Sequence, residues 1–301
     1  MSKILVIGGA GFIGSNLVDE LIKEGEEVAV IDNLSAGKKE NINPKANFYQ
    51  VDVRDLDKIK PLFKGVDYVF HLAALTNIQF SIDNPAESHD VNLNGTINVL
   101  ISAKEGGVKR IIYSASSSAY GLQEKLPWQE DMTPKVLSPY SVQKYVGELY
   151  CRSFNLIYGL ETVSLRYFNV YGNRQRLEGG YAPVMGIFIR QRLAGEPMTI
   201  YGDGGQTRDF TSVIDVVRAN ILAMKSKKVG KGEVVNIGRG KNYSVNELAK
   251  MVGGPVKKLP PRIEVKNSLA DNSLAKKLLG WEPKINLSEW IKSYKKEVGL
   301  V

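Results

Sequence analysis

Residues 4–21 read ILVIGGAGFIGSNLVDEL, an apolar run followed by closely spaced glycines and then a helical pattern. The apolar run predicts a buried strand, and the pattern after it predicts an amphipathic helix. Gly8, Gly11 and Gly14 lie between the two at intervals of three. Glycine there permits a tight turn, a close approach to a pyrophosphate and close packing of helix against strand. Because a helix N-terminus favours negative charge, the stretch indicates a dinucleotide site, although glycine-rich turns also occur without one.

Similar apolar runs recur through the first half of the chain. They predict strands beginning near residues 3, 27, 47, 67, 110 and 162, separated by helical patterns at about 12–24, 84–105 and 138–159. Strands that are apolar on both faces are typical of a parallel sheet. The alternation indicates βαβ units with right-handed crossovers. The predicted fold class is therefore α/β, with a Rossmann-type doubly wound parallel sheet.

The rhythm changes after about residue 170, where glycines and prolines become more frequent. Helical patterns reappear near 183–194, 213–225, 244–251 and 271–298. We expect residues 1–168 to form an NAD-binding Rossmann domain, to which about 211–237 returns. Residues 169–301 are expected to form mainly a smaller C-terminal α/β lobe that binds substrate.

The composition excludes several classes of protein. The chain has 301 residues, 43% of them apolar, and a net charge of +8, but its lysines are scattered. A solvated lysine-rich surface is therefore favoured over nucleic-acid binding, although a positive field also suits an anionic substrate. No apolar stretch reaches the length of a membrane span. One cysteine and two histidines argue against a disulfide and a structural metal site, and suit a cytoplasmic protein.

Two aspartates follow predicted strands and suggest which dinucleotide is bound. Asp32 ends the second strand, 18 residues beyond Gly14, where a carboxylate can hydrogen-bond the adenosine ribose hydroxyls. Its charge would repel a 2′-phosphate, which favours NAD over NADP, although Lys38 and Lys39 lie nearby. Asp52 ends the third predicted strand and is placed to meet the adenine edge. The alternative is that both aspartates only cap turns.

A tyrosine and a lysine four residues apart indicate acid–base chemistry. In YSVQK, residues 140–144, Tyr140 and Lys144 share one face of a predicted helix. A nearby ammonium and an oxidised nicotinamide would both lower the pKa of the phenol toward the working range. Lys144 also has the reach to hold the nicotinamide ribose. In isolation, such a pair more often consists of two solvent-exposed helix residues with no catalytic role.

A serine cluster precedes this pair at the end of the fifth predicted strand, in SASSSAYG at 114–121. Its spacing, four residues before Tyr120, selects Ser116. The hydroxyl of Ser116 is expected to hydrogen-bond the substrate oxygen that Tyr140 deprotonates. Ser116, Tyr140 and Lys144 are therefore the predicted catalytic residues.

Taken together, these motifs and five others resemble the extended short-chain dehydrogenase/reductase family, and within it the NAD-dependent nucleotide-sugar epimerases and dehydratases. The others are HLAA (71–74), NLNGTINVL (92–100), LRYFNVYG (165–172), GDGGQTRDF (202–210) and LGWEP (279–283). The resemblance runs nearly end to end. It implies NAD contacts at Gly8, Gly11, Phe12, Ile13, Gly14, Asp32, Asn33, Asp52, Val53, Leu72, Ala73, Ala74, Tyr140 and Lys144.

The same resemblance implies a sugar-nucleotide site. Its residues would be Thr76, Ser116, Asn169, Val184, Thr199, Tyr201, Arg208 and Arg262. Of these, Val184, Thr199 and Tyr201 would line the pocket for the nucleotide base. An arginine suits position 208 because a guanidinium can grip phosphate oxygens at two points. The alternative for Arg208 is a salt bridge with Asp209.

The reaction depends on the residues after Ser116. Family dehydratases carry an Asp-Glu pair there and decarboxylating relatives carry a Glu, whereas this chain has Ser117 and Ser118. With no carboxylate to assist elimination, returning the hydride to the other face of a 4-keto sugar would invert C4. The resemblance thus implies a 4-epimerase interconverting UDP-glucose and UDP-galactose with tightly bound NAD. Another epimerase or a dehydratase is the alternative, and a non-catalytic NAD-binding protein is a further one.

Three departures from the family pattern bear on the site. Gln143 replaces the usual small residue before the lysine and is expected to face away without effect. The element that begins at Arg262 is shortened to Arg262-Ile263-Glu264, and Arg262 is still expected to reach the diphosphate. Ser268 occupies the position expected to gate sugar size, where a small residue would also admit UDP-GlcNAc and UDP-GalNAc.

The helices near 84–105 and 138–159 are those that family members pair across a dimer axis, which implies a homodimer. Their apolar residues can equally belong to the core of one subunit. These are Val91, Leu93, Val99, Leu100, Val146, Leu149 and Leu156.

Overall fold

The computed structural model describes residues 1–177, 183–261 and 264–300. Strands and helices alternate through the first part of the chain, which ends at Tyr167. In chain order they are β1 Lys3–Ile7, α1 Phe12–Lys23, β2 Glu27–Ile31, β3 Asn47–Tyr49, α2 Leu56–Ile59, β4 Tyr68–His71, α3 Ile78–Asp83, α4 Pro85–His89, α5 Gly95–Gly106, β5 Arg110–Ser116, α6 Pro139–Tyr158 and β6 Glu161–Tyr167.

The elements of the second part are shorter. They are β7 Val170–Tyr171, α7 Val184–Leu193, β8 Met198–Tyr201, β9 Thr207–Asp209, β10 Thr211–Ser212, α8 Val213–Lys225, β11 Lys231–Ile237, β12 Asn242–Ser244, α9 Val245–Val252, β13 Val256–Leu259, α10 Ser273–Leu279 and α11 Leu287–Glu297. Short 3-10 turns at Lys39–Asn41, Lys60–Phe63 and Ser117–Tyr120 and a π-helical turn at Asp90–Asn94 complete the described helices.

A parallel sheet forms the centre of the molecule. Within the described ranges it has seven strands, in the order β11-β6-β5-β4-β1-β2-β3. Alternate residues of β1 enter separate cores, Ile4 and Val6 on one face and Leu5 and Ile7 on the other. The sheet is therefore covered by helices on both faces, and the predicted α/β Rossmann-type fold is confirmed. The strand order reverses direction between β1 and β4, the place where such sheets bind ligands.

The chain returns to this sheet after leaving it. β11 pairs in parallel with β6 from Lys231 to Ile237, and α8 packs against α1. The remaining elements of the second part pair among themselves, β8 with β13 in parallel and β9 with β12 antiparallel. They surround a separate core that includes Phe188, Ile200 and Leu248.

Three predicted elements differ from the structure. The third strand ends at Tyr49, so Asp52 lies three residues beyond it and does not end the strand. The helical stretch 84–105 is interrupted by the π-helical turn at Asp90–Asn94. The stretch 271–298 forms two helices, because Gly280 takes a left-handed conformation at the end of α10.

The two helices proposed for a dimer differ in how they are buried. Val99 and Leu100 of α5 belong to the core of this chain, and Leu93 in the π-helical turn is also buried. On α6, Leu149 and Leu156 are exposed, and so is Val142, which was not among the predicted residues. None of the described helices, including the 20-residue α6, has the length and apolar character that a bilayer span requires.

Candidate active site

The glycine turn between β1 and α1 needs glycine for two different reasons. Gly8 has a φ of +85°, and a Cβ there would lie 2.6 Å from the backbone nitrogen of Ala73. Gly14 is inside α1, where a Cβ would lie 2.1 Å from the carbonyl oxygen of Gly8. Gly11 precedes the helix, and no side chain caps its N-terminus. The backbone therefore presents the start of α1 to the neighbouring cleft, as phosphate binding requires.

A cleft opens from this turn at the point where the strand order reverses. Eight of the predicted cofactor residues line it, namely Gly8, Gly11, Asp32, Asn33, Val53, Leu72, Ala73 and Ala74. The other six predicted residues are not among the lining residues, namely Phe12, Ile13, Gly14, Asp52, Tyr140 and Lys144. The structure adds others that the sequence had not indicated, namely Ile31, Ser35, Ala36, Gly37, Val51, Leu75 and Val91. Of these residues, Gly37 is a glycine whose added Cβ would lie 2.7 Å from the Cβ of Ala10, so the close packing of the two loops requires glycine there.

Asp32 is positioned by the glycine turn and by the loop that follows β2. Its carboxylate accepts hydrogen bonds from the amides of Ala10 at 3.0 Å and Leu34 at 2.8 Å. Burial raises the pKa of this carboxyl group, and the two backbone hydrogen bonds oppose the increase. A carboxylate held in this way at a strand end is suited to accept ribose hydroxyls.

Asp52 is held mainly by other side chains. Its carboxylate pairs with Arg54 at 2.8 Å and accepts a hydrogen bond from Asn33 at 2.8 Å. The hydrogen bond from Arg54 is the main reason that the pKa of Asp52 falls to about 2. Asp52 thus reaches the cleft through Asn33, and its predicted contact with adenine stays a prediction.

The predicted catalytic residues meet where β5 ends and α6 begins. Tyr140 is in the first turn of α6, which Ser138 caps by accepting a hydrogen bond from Ser141. Ser116 is the last residue of β5, and its side chain lies close enough to the Tyr140 hydroxyl to lower the pKa of that phenol. One turn further along α6, Lys144 donates from Nζ to the carbonyl oxygen of Ser114 at 2.8 Å. The end of β5 and the first two turns of α6 thus hold all three predicted catalytic residues.

The pKa of Tyr140 differs from the expectation. Burial raises it, and the nearby Ser116 side chain opposes the increase. The lowering expected from the Lys144 ammonium is not found, since Lys144 is not among the groups that shift the pKa of Tyr140. Burial also lowers the pKa of Lys144 to about 8.

A buried ion pair lies beside this lysine and was missed from the sequence. Glu148, one turn beyond Lys144 on α6, forms two hydrogen bonds with Arg166 of β6, at 2.9 and 2.8 Å. Both side chains are almost fully buried. The negative charge of Glu148 raises the pKa of Lys144, which partly offsets the effect of burial. The four-residue spacing from Lys144 was the available signal, but the partner on β6 was not predictable from it.

Gln143 contacts a neighbouring segment and does not simply face away. Its side chain is buried, and its Oε1 accepts hydrogen bonds from Ser88 and Asn92, each at 2.8 Å. The expectation that it faces away without effect is therefore wrong. The packing of the 85–94 segment against α6 encloses it.

Arg208 pairs with a different carboxylate from the one considered. Its Nη2 lies 2.5 Å from Glu264, and its Nη1 donates to the carbonyl oxygen of Thr207 at 2.9 Å. Asp209 is buried on the other face of β9, where it accepts hydrogen bonds from the amides of Arg239, Gly240 and Ala270. The alternative of an Arg208–Asp209 salt bridge is therefore wrong.

The other predicted substrate residues lie around the second part of the chain. Asn169 follows β6 with a φ of +22° and donates to the carbonyl oxygen of Asp209 at 3.1 Å. Thr199 and Tyr201 lie on β8, and Thr199 is held by two hydrogen bonds to Gln191. Val184 begins α7, and Thr76 is exposed between β4 and α3. Arg262 lies outside the described residues.

Ser268 packs against the strand that carries Arg208. Its amide donates to the carbonyl oxygen of Thr207 at 3.1 Å, and its hydroxyl accepts from the amide of Asp209 at 3.3 Å. The side chain is almost fully buried. Its small size therefore lets the 264–271 segment lie directly against β9.

Comparison with known proteins identifies the relatives of this chain. The model of the NAD dependent epimerase/dehydratase family matches residues 4–238. A protein of Methanocaldococcus jannaschii, provisionally named UDP-glucose 4-epimerase, is 44% identical to this chain. The alignment has 298 positions and covers 96% of each chain.

Solved structures give the same result. UDP-glucose 4-epimerase of Thermotoga maritima, solved with UDP-glucose, superposes with a TM-score of 0.93 at 42% identity, over 98% of this chain and 99% of that one. A variant of the UDP-glucuronic acid 4-epimerase of Bacillus cereus, solved with NAD and a fluorinated UDP-glucuronic acid, gives a TM-score of 0.90 at 33% identity over 99% of each chain. Two sugars thus occur among relatives of nearly the same length.

Proposed function

This chain belongs to the NAD-dependent epimerase/dehydratase family, and we propose that it is a UDP-glucose 4-epimerase, which interconverts UDP-glucose and UDP-galactose. NAD is its cofactor. The observation that carries the choice of reaction is the pair of serines after Ser116, where the resemblance places carboxylates in enzymes that eliminate water or carbon dioxide.

The cleft residues fit the cofactor. The turn at Gly8 and Gly11 leaves backbone amides for the pyrophosphate, because a Cβ at Gly8 would collide with Ala73. Asp32 would hold the adenosine ribose, and Lys144 the nicotinamide ribose. When bound, NAD supplies a reversible hydride acceptor, so that C4 of a sugar can pass through a keto form.

Tyr140 is the proposed base for the sugar 4-hydroxyl. Ser116 lies beside the Tyr140 hydroxyl and would orient the same substrate oxygen. The Lys144 ammonium and the oxidised nicotinamide of bound NAD would together favour the phenolate against the burial that raises its pKa, and the charge of Glu148 favours the ammonium. Since the same tyrosine can return the proton, the group can act in both directions of an epimerisation.

The proposed substrate site uses Arg208 for the diphosphate and Asn169 for the sugar. Arg208 is supported by its position on β9 and by its partly buried guanidinium. Val184, Thr199 and Tyr201 would line the base pocket, with Thr76 and Arg262 as further contacts. Acceptance of 2-acetamido sugars rests only on the family position of Ser268, because its buried side chain packs against β9. Residues 1–168 with 211–237 would bind NAD, and the rest of 169–301 mainly the substrate.

We also infer a homodimer. Val142, Leu149 and Leu156 of α6 are spaced by seven residues and are exposed by 43%, 46% and 72%. A seven-residue spacing places them in one stripe along the helix, on a surface of this chain that is open to a partner.

Turnover of UDP-galactose tests the proposed reaction. NMR is expected to show conversion of UDP-galactose to UDP-glucose at an equilibrium reached from either side. Tyr140→Phe removes the proposed base, so kcat should fall by roughly 100-fold or more, with NAD still bound. Tyr145→Phe, on the same helix, is the matched control and should keep turnover near that of the wild type.

Other outcomes would replace the proposal. A 4-keto-6-deoxy product would identify a dehydratase. Turnover of another UDP-, dTDP-, GDP- or ADP-sugar in place of UDP-galactose would identify a different epimerase, and the relative that binds a UDP-glucuronic acid analogue makes that sugar the first to include.

A further inference from the structure

A buried amide cluster joins the catalytic helix to the segment before α5. Gln143 lies on α6 between Tyr140 and Lys144, and only 3% of it is exposed. Its Oε1 accepts hydrogen bonds from Ser88 Oγ and Asn92 Nδ2, each at 2.8 Å. A buried acceptor with two donors is fully used, and losing it would leave those donors unsatisfied.

Asn92 in turn holds the backbone of Leu75. Its Oδ1 accepts from the amide of Leu75 at 2.7 Å, and its Nδ2 donates to the carbonyl oxygen of Leu75 at 2.9 Å. An Asn amide has two donor hydrogens, one used on Leu75 and the other on Gln143, with Ser88 Oγ at a longer 3.4 Å. The acceptor on Gln143 therefore stabilises the orientation of the Asn92 amide that matches both backbone groups of Leu75.

Leu75 lies in the wall of the cofactor cleft. Leu75 and the adjacent Ala74 line the same cleft as Asp32 and the glycine turn. The beginning of this wall is anchored to β1, because the amides of Leu72 and Ala73 donate to the carbonyl oxygen of Ile7 at 2.8 and 3.0 Å. Its far end is anchored by Asn92. Asn92 belongs to the π-helical turn, a local distortion common at functional sites.

We propose that Gln143 is a positioning residue for NAD binding, which holds the 72–75 wall in place through Asn92. The usual family residue at this position is small, and a small side chain would end short of Asn92. The chain thus couples the helix that carries the acid–base pair directly to the wall of the cofactor site. This inference rests on the proposed cofactor contacts and not on the choice of sugar.

Gln143→Met tests the proposal, since it keeps the length of the side chain and removes the acceptor. The Kd for NAD, measured by calorimetry on the complete chain, should rise by about three- to tenfold, the factor that one neutral hydrogen bond is worth. Amide hydrogen exchange of the peptide covering 72–77, measured without NAD, should become faster. Gln143→Glu retains an oxygen acceptor and should restore both values toward those of the wild type.

Ser88→Ala is the matched control. It removes one donor to the same Oε1 and a longer contact of 3.4 Å with Asn92 Nδ2, but it leaves the Asn92–Gln143 bond and both Asn92–Leu75 bonds. It should therefore change neither the Kd nor the exchange of 72–77. An unchanged Kd in a folded Gln143→Met variant, or an equal effect of Ser88→Ala, would overturn the proposal. If Gln143→Met does not fold, Gln143→Ser decides by the same readouts. A wild type that binds NAD but converts no UDP-hexose would reject the proposed function and leave this comparison intact.

Discussion

Glu148 is the buried carboxylate whose charge acts on the proposed acid–base group. It lies one turn beyond Lys144 on α6 and is bound at two points by Arg166. Burial raises the pKa of Glu148, whereas the hydrogen bonds and charge of Arg166 lower it. An ionised Glu148 raises the pKa of Lys144. The ion pair therefore has an electrostatic effect on the site as well as a structural one.

The first prediction at this scale concerns the alkaline limit of activity. Burial places the pKa of Lys144 at about 8, so its ammonium is lost as the pH rises through that value. Because the proposed mechanism needs the ammonium, kcat should fall above about pH 8. Glu148→Gln removes the charge that favours the ammonium, so the same fall should occur at lower pH. The measurement is a kcat profile from pH 6 to 10.

Glu161→Gln provides the control for this prediction. Glu161 also pairs with a buried arginine, Arg110 at 2.6 Å, but at the opposite end of β6. Its profile should match that of the wild type. Removing Glu148 leaves Arg166 buried without its partner and should lower stability by about 3–5 kcal/mol, so folding is checked by circular dichroism. A folded Glu148→Gln variant with an unmoved alkaline limit would contradict the prediction.

At the level of single residues, the sequence predicted side chains whose role follows from local spacing. Tyr140 and Lys144 share a helix face, and Ser116 ends a strand beside them. Arg166 and Gln143 were not predictable in this way, because their partners come from other elements. Glu148 is 18 residues from Arg166, and Asn92 is 51 residues from Gln143. No local pattern records which segments pack together at such separations.

At the scale of elements, the turn between β1 and α1 depends on contacts within the turn itself. A Cβ on Gly14 would lie 2.1 Å from the carbonyl oxygen of Gly8 and 2.9 Å from the Cα of Gly9. Both are backbone atoms, which cannot rotate away as a side chain can. The turn and the first helical residues would therefore have to shift.

Gly14→Ala should destabilise the protein and weaken cofactor binding together. Overpacking of this kind costs about 1–3 kcal/mol, and the shifted helix start should raise the Kd for NAD. Denaturant titration of the cofactor-free protein measures the first effect, and calorimetry measures the second.

Gly25→Ala is the control, because it strains the backbone without creating a steric contact. Gly25 follows α1 with a φ of +87° and has no atom within 4 Å of its added Cβ. The free energy of unfolding of the Gly25→Ala variant should fall by about 1 kcal/mol through backbone strain, with the Kd for NAD unchanged. A Gly14→Ala variant that binds NAD as tightly as the wild type would show that the close packing is not needed for the site.

Most strands of the sheet were predictable because they are buried on both faces. β1 and β4, which read KILVI and YVFH, are mostly apolar and buried, and they lie at the centre of the sheet. β3 was predicted too long, since it is the edge strand and its residues are partly exposed. The π-helical turn at Asp90–Asn94 was missed because its sequence carries no distinct periodicity. Contacts with α6 and with Leu75 hold it instead.

At the scale of the whole molecule, α6 has one face in the site and another open to the surface. Tyr140 and Lys144 are buried on the first, whereas Val142, Leu149 and Leu156 form an exposed apolar stripe on the second. A two-fold axis would place the same stripe of a second copy against it. Assembly would then immobilise the helix that carries the proposed base.

Leu149→Glu tests this assembly. Each substitution occurs twice across a two-fold axis, so two carboxylates would be brought together in an apolar contact, and the dimer should dissociate at micromolar concentration. Sedimentation velocity of the NAD-loaded protein measures the change. Leu193→Glu is the control, because Leu193 on α7 has the same 46% exposure but lies outside the stripe, so its sedimentation should match that of the wild type. Dissociation by both variants would point to general destabilisation, and a wild type that sediments as a monomer would reject the dimer.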